Sequence, residues 1–426
     1  MNIRVFCCAV LVAAACVFVP TPALSDTSSK LIVAARVLDV RAGRYIEHGA
    51  VLVSGERIEA VGDAAELRRR APQAEITDLG SRTLLPGLID AHTHVMARVP
   101  EGDDGYLLNL ATKSQATRAL EGAANARAIL RSGFTAIRDV ESEGAGCGDA
   151  ALRDAIKEGL VEGPRMKVAT RGIAAVGQYH PFGIAADLKD FPTGAQMVSG
   201  PEEVRRAARE QIACGADQLK IYVDWRHPTF TVEEIRAAVA EAHKAGIKIA
   251  AHATTPEGIA NAVAAGVDSI EHGWRARPET LAIMKKQGMY WVPTLTGADK
   301  GIAEGLNDPQ RHDRVLALQR SMYETVANAR KLGVKVALGF DASSAAEQGH
   351  SADELRTMVK YGFTPLEALR AATLGAADLY ADRMGAIEPG NYADLIAVDG
   401  DPLKDPSVLT NVSFVMKGGK SIRNDR

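Results

Sequence analysis

Eight short apolar stretches, separated by amphipathic helical segments, fill the middle of the chain and constrain its fold more than any other feature. They end in "IDAHTH", "FTAIRDV", "MKVATRGI", "QLKIYVD", "IKIAAHA", "DSIEHG", "MYWVPTL" and "KVALGFDAS". A helix between two strands returns the chain to its starting edge, so successive strands run parallel. The intervening segments carry helix punctuation: "PEEVRRAAREQIACG" from Pro201 and "TVEEIRAAVAEAHKAG" from Thr231 open with Pro or Thr plus acids and close at Gly. Eight such units in about 300 residues point to an α/β fold, a (β/α)8 TIM barrel, in preference to an open doubly wound sheet.

Both ends of the chain speak a different grammar. From Lys30 to Leu84 short alternating strands are punctuated by turns, "VSGER" around Gly55 reading as a hairpin, and "GAIEPGNYADLIAVDGDP" and "VSFVMKGGKSI" repeat that pattern near the C-terminus. The two ends are expected to pair into one small β-sandwich, because termini commonly meet at the surface. The expected organisation is a leader over 1–25, sandwich strands over 26–86, the barrel over 87–383 and further sandwich strands over 384–426.

The leader is read from one early charge, Arg4, an apolar run to Val19, a break at Pro20 and small residues before a cleavage point near Ser25. It implies a secreted or periplasmic protein whose mature form has no membrane span. Cys7, Cys8 and Cys16 leave with it, so Cys147 and Cys214 remain, too few for a disulfide scaffold, and the fold is not expected to rely on staples. A composition of 46% hydrophobic and 24% charged residues, with a net charge of −3 and no basic stripe, describes a globular domain and argues against a nucleic-acid partner.

A barrel of this kind places its site at the carboxyl ends of the strands. Those ends carry His92 and His94 on strand one, Lys220 on strand four, His252 on strand five, His272 on strand six and Asp341 on strand eight. In a strand, residues two apart share a face, so His92 and His94 project together and Tyr222 faces inward with Lys220. Imidazole and carboxylate without cysteine suit a catalytic zinc rather than a structural thiolate site. Lys220 fits poorly as an ammonium, because burial disfavours its charge. It is a lysine paired with an acid such as Asp217 or Asp341, a Schiff-base nucleophile of a lyase, or an amine converted by carbon dioxide to a carbamate that bridges two cations.

Taken together, "GLIDAHTH", the strand-four lysine, "AHA", "EHG" and "GFDAS" resemble the metal-dependent amidohydrolase superfamily. The likeness is to its subtype with a binuclear centre and a carboxylated lysine, and within that to the secreted Xaa-Pro dipeptidase-like and imidazolonepropionase-like branch, which includes carboxypeptidase-type enzymes and ochratoxin-hydrolysing amidases. The resemblance implies two zinc ions per chain, one on His92, His94 and Asp341, the other on His252 and His272, with carboxylated Lys220 between them. It further implies hydrolysis of an amide next to a free carboxylate, in dipeptides or N-acyl amino acids including ochratoxin-A-like compounds. The attacking hydroxide would bridge the metals, Asp341 would serve as acid and base, and the chain would form a homo-oligomer, a tetramer or octamer. A deaminase or cyclic-amide hydrolase of the same superfamily is the alternative, but a deaminase wants a Glu shortly after strand five, where only Glu257 stands.

For substrate binding, Tyr222 offers a hydrogen bond, His180 and His350 sit on long connections where binding residues concentrate, and Arg171 and Arg226 offer charge to a terminal carboxylate. "GQYHPFG" and the segment from Gly297 to Asp313 are expected as rim loops, with Trp225 and Phe182 as apolar walls.

Overall fold

The computed structural model describes residues 29–100, 105–179, 187, 191–225 and 227–425. Eight parallel strands form the centre: β1 (Leu88–Thr93), β2 (Phe134–Asp139), β3 (Arg165–Val168), β4 (Gln218–Tyr222), β5 (Lys248–Ala253), β6 (Ser269–His272), β7 (Tyr290–Val292) and β8 (Lys335–Val336). Ladders run from β1 through β3 and from β4 through β8. Between these two arcs Asp217 N–H donates to the Val168 carbonyl at 2.8 Å, and the ring closes where Ala91 N–H donates to Leu338 O at 2.7 Å and Asp341 N–H to His92 O at 2.9 Å. The fold is a (β/α)8 barrel. Gly339 permits that closure, because a Cβ there would lie 2.5 Å from both His92 Cβ and Val292 Cγ1.

Alternation sorts the strand side chains. On β4, Leu219 and Ile221 join the apolar layer shared with Val204 and Ala208 of helix Gly200–Ala213 and Ile235 and Ala238 of helix Val232–Lys244. Each fully buried aliphatic side chain of this kind contributes about 1.5–3 kcal/mol. Lys220 and Tyr222 take the opposite, inward face. The capping signal at Thr231 is realised as a reciprocal box, the Glu234 N–H donating to Thr231 Oγ1 while the Glu234 carboxylate accepts from Thr231 N–H.

The chain ends meet as expected. One sheet has four strands from the N-terminal part, including the hairpin Gly49–Ser54 and Arg57–Asp63 that turns at Gly55 (φ 54°). The other has six strands, in which Leu395–Val398 pairs antiparallel with Thr83–Pro86, Leu395 opposite Pro86. Ile32, Val51, Val53, Leu84, Leu395 and Phe414 fill the space between the sheets. The outer face of the six-stranded sheet, with Leu38, Leu85, Ile396 and Val415, merges into the barrel's main core. The small domain is therefore a β-sandwich built from both ends and cemented to the barrel.

Two expectations change. Cys147 and Cys214 form a disulfide that ties the start of helix Gly148–Lys157 to the end of helix Gly200–Ala213 across a sequence separation of 67 residues. The segment from Gly297 lies largely in a helix, Leu295–Gly305, rather than a rim loop; its small residues let the helix pack closely, with Gly305 against Val315 of helix His312–Leu332. Among the described residues no helix is long and apolar enough to cross a membrane.

Candidate metal centre

The strand ends bring His92, His94, Lys220, Tyr222, His252, His272 and Asp341 to the wall of one cavity of about 570 Å³. His92 Nε2 and His94 Nε2 approach Asp341 Oδ1 at 3.5 and 3.2 Å, and His272 Nδ1 lies 3.9 Å from Asp341 Oδ2. The His252 and His272 rings are 4.5 Å apart, those of His92 and His272 5.0 Å. One atom each from His92, His272 and Asp341 falls within 4.8 Å of the others, the compactness a single ion demands.

Neighbouring groups fix the ring orientations. His92 Nδ1 pairs with Glu271 Oε2 at 2.7 Å, and Glu271 Oε1 accepts from Arg138 Nη2 at 2.6 Å. His272 Nδ1 meets Thr294 Oγ1 at 2.7 Å, and His94 Nδ1 lies 2.8 Å from Glu143 Oε1. A carboxylate or hydroxyl thus stands behind three of the four imidazoles, the arrangement that orients metal-binding histidines. Five non-glycine residues at these strand ends adopt left-handed backbone: Glu143 (φ 49°), Thr170 (φ 58°), His272 (φ 67°), Thr294 (φ 44°) and Asp341 (φ 67°). Such conformations cost of order 1–3 kcal/mol each and persist where a site requires them.

The electrostatics favour ligation. Burial, aided by the nearby Lys220 charge, pulls the His92 imidazole down to about 4, and burial takes His272 down to about 3 against the opposing pull of Asp341. Burial, with His272 and Lys220 beside it, holds His252 well below its ordinary value. These three imidazoles are neutral at pH 7 and keep a lone pair to donate. For His94 burial acts the same way, but Glu143 and Asp341 outweigh it and hold the ring well above its ordinary value. Burial would raise the Asp341 carboxyl, yet the surrounding imidazoles hold it far below the usual carboxylate range.

Three buried atoms facing this centre, His92 Nε2, His252 Nε2 and Lys220 Nζ, have no hydrogen-bond partner among the described residues. Buried polar atoms are rarely left so, and here their donors are those of a cation site. Lys220 is 1% exposed and burial lowers its pKa; of the two acids offered as its partner, Asp217 accepts from Arg153 at 2.7 Å, and Asp341, whose charge acts on Lys220, is held against His92 and His94. The residues present therefore fit a metal centre.

Of the other expected residues, Trp225 lines the cavity and stacks on Tyr222, while Tyr222 donates to the Glu141 carboxylate, which also accepts from Tyr179 at 2.8 Å. Arg171 is turned away, donating to the carbonyls of Ala195 and Gly194 at 2.7 and 3.4 Å, because that chain segment presents unsatisfied acceptors beside it. His350 is exposed in the turn before helix Asp353–Lys360, outside the cavity wall, and Glu257 is exposed on helix Pro256–Ala265. His180, Phe182 and Arg226 lie outside the described residues, as does the leader over 1–25. Sequence reasoning passed over Tyr106, Glu143, Tyr179, Trp274 and Arg275 in the wall. Of these, Trp274 and Arg275 follow directly on "EHG" and Tyr179 stands beside His180 in "GQYHPFG", whereas Tyr106 and Glu143 carried no signal.

A parallel barrel with this ring of imidazoles, lysine and carboxylate defines a metal-dependent hydrolase. The chain belongs to the amidohydrolase family, whose pattern matches residues 83–422, and residues 49–74 match the imidazolonepropionase-like composite domain of bacteria. It is 31% identical to ochratoxinase of Aspergillus niger over 440 residues, covering 93% of this chain and 88% of that one. A solved Xaa-Pro dipeptidase with methionine in its active site superposes with a TM-score of 0.81 at 31% identity, covering 93% of this chain and 100% of the other. The crystal structure of the A. niger ochratoxinase gives 0.83 at 28% identity, covering 93% and 96%.

Proposed function

We propose that this protein hydrolyses an amide bond next to a free carboxylate, in dipeptides or N-acyl amino acids with an apolar or aromatic side chain, ochratoxin-A-like compounds included. In this reading His92, His94 and Asp341 hold one zinc, His252 and His272 a second, and Lys220 lies between them as a carbamate. The carbamate forms when Nζ bonds to the carbon of carbon dioxide and releases a proton. The observation that carries the reading is Lys220 itself, an amine that, among the described residues, is buried without a hydrogen-bond partner beside two imidazole nitrogens that also lack one. Bound cations of this kind polarise an amide carbonyl and acidify water.

The chain's own groups supply the rest. Asp341, its side chain 30% exposed towards the cavity while His92 and His272 are closed off, takes the proton from the attacking water and delivers it to the leaving nitrogen as the C–N bond breaks. Trp225, Tyr222, Trp274, Val99 and Leu318 give the cavity an apolar side suited to a hydrophobic residue. A deaminase reading finds less support, since Glu257 is exposed and does not reach this wall. The disulfide suits an exported protein, as the leader implies, and the family likeness supports a tetramer or octamer.

The test is a hydrolysis screen of zinc-loaded enzyme against N-acyl amino acids, Xaa-Pro and Xaa-aromatic dipeptides and ochratoxin A, with metal counted in parallel. Cleavage of at least one class, abolished by chelator, and two ions per chain are expected. A reproducible count of one ion overturns the binuclear arrangement, and turnover that survives chelation overturns the hydrolase mechanism.

A further inference from the structure

The geometry points to Arg275 as the residue that recognises the substrate's free carboxylate. The inference rests on the amide hydrolase reading above and adds to it the group that sets its specificity. Two arginines were expected to offer this charge; Arg171 is committed to backbone carbonyls, and Arg226 lies outside the described residues.

Among the described residues lining the cavity the only lysine or arginine side chains are Lys220 and Arg275. Lys220 sits at the floor among the histidines and becomes an anion as a carbamate. That leaves Arg275 as the one guanidinium on the wall among the described residues. It is half-buried, and among the described residues no hydrogen bond, ion pair or aromatic contact engages its guanidinium. The two acids on the same wall, Asp341 and Glu143, are both turned to His94. A half-buried guanidinium without a partner is completed by a planar anion, and its fork of donors matches a carboxylate.

Its placement is built rather than incidental. Gly273 N–H donates to Ala253 O and Ala276 N–H back to Gly273 O, both at 3.0 Å, which closes a tight turn around Arg275. On one side of it, Trp274 Nε1 donates to Pro293 O at 2.5 Å and its ring lies 5.1 Å from the His272 ring. Arg275 is three residues beyond His272, so a carboxylate held there sits close to the centre while the neighbouring side chain meets Trp274 and Leu318. A substrate with no carboxylate loses this contact and leaves the guanidinium unpaired, which is how a polar site rejects an analogue.

The experiment measures binding without turnover. Zinc-loaded enzyme is titrated with 3-phenylpropionate and with 3-phenylpropanol, neither of which contains an amide bond, and dissociation constants are read by calorimetry for wild type, Arg275→Met, Arg275→Gln and Arg275→Lys. Wild type should bind the carboxylate at least about tenfold tighter than the alcohol. Arg275→Met and Arg275→Gln should weaken the carboxylate about ten- to a hundredfold, the range of a charge-assisted pair, and the alcohol less than about twofold. Arg275→Lys should restore part of the loss. Equal binding of the two probes by wild type, a preference that survives in both neutral variants, or equal weakening of both probes would each overturn the assignment. Amide hydrolysis could stand after any of these results, and failure of the hydrolysis screen would leave this measurement intact.

Discussion

At the amino end of β3, Arg165 donates to both oxygens of Asp394 at 2.9 and 3.3 Å, and Asp394 also accepts from Gly418 N–H at 2.7 Å. On the neighbouring strand β4, Lys220 is the more deeply buried, 1% exposed against 19% for the Arg165 side chain, and has no acceptor among the described residues. The same division runs through the molecule. Within the sandwich Arg36 reaches Thr83 Oγ1 and Gly400 O at 2.7 Å each; where barrel and sandwich meet, Arg370 reaches Val40 O and Arg41 O at 3.0 and 2.6 Å, and the Tyr392 ring lies between Arg57 and Arg165 at 3.6 Å on either side. Among the described residues no buried side-chain polar atom of the sandwich lacks a partner, whereas His92, Lys220 and His252 of the rim each leave one free. Polar pairing is complete in the sandwich and broken at the rim, at a cost met by the rest of the fold, where a ligand is to be held.

The comparison breaks most sharply at Lys220. Lys220→Ala should lose metal and fall to background activity while remaining folded, and acetate or propionate added with zinc should restore part of both by filling the vacated space with a bridging anion. A flat response of activity to carboxylate concentration in folded protein would remove the carbamate. Rescue by added amine, with a reducible imine in wild type, would make Lys220 a nucleophile instead.

The next effects fall on stability alone. Cys147→Ser should cost about 4 kcal/mol by the loop-entropy relation for a closed loop of this length, read as a shift in the denaturant midpoint, with turnover per folded molecule unchanged. Asp394→Ala should cost about 2 kcal/mol, because it strands the half-buried guanidinium of Arg165 and the Gly418 N–H, again without altering kcat/KM. If either changed substrate turnover, the two regions would not be separable. The smallest effect returns to the rim. Thr294→Val removes the oxygen behind His272 Nδ1 and should lower zinc affinity about tenfold, measured by competition with a chromogenic chelator, at little cost in thermal stability.

The strand ends were legible because alternation has a fixed period: His92 with His94, and Lys220 with Tyr222, face inward whatever the loops do. The same rule fails at β6, where Glu271 and His272 are adjacent and should point apart. His272 takes φ 67°, which brings its ring to the centre while Glu271 reaches His92 from within the barrel. Nothing in "EHG" announces that left-handed turn. Glu143 and Tyr106 were illegible, and Tyr179 visible only as part of the loop "GQYHPFG", for a different reason. They sit outside the strands, and long-range contacts place them, the Tyr179 hydroxyl meeting Glu141 38 residues away. Arg171 and His350 were chosen for sitting on loops after the right strands, but a loop's position does not say which way its side chains turn.

The pairing of Leu395–Val398 with Thr83–Pro86 also sets a timetable. In a chain that emerges N-terminus first, Thr83–Pro86 waits for a partner some 300 residues downstream, roughly 15–60 s at ordinary synthesis rates of 5–20 residues per second. Through that interval one edge of its sheet is an open row of amide and carbonyl groups, the kind of surface on which chains pair wrongly with one another. The barrel must therefore form on an unfinished foundation, and the closing strand is the step at which aggregation and native assembly compete.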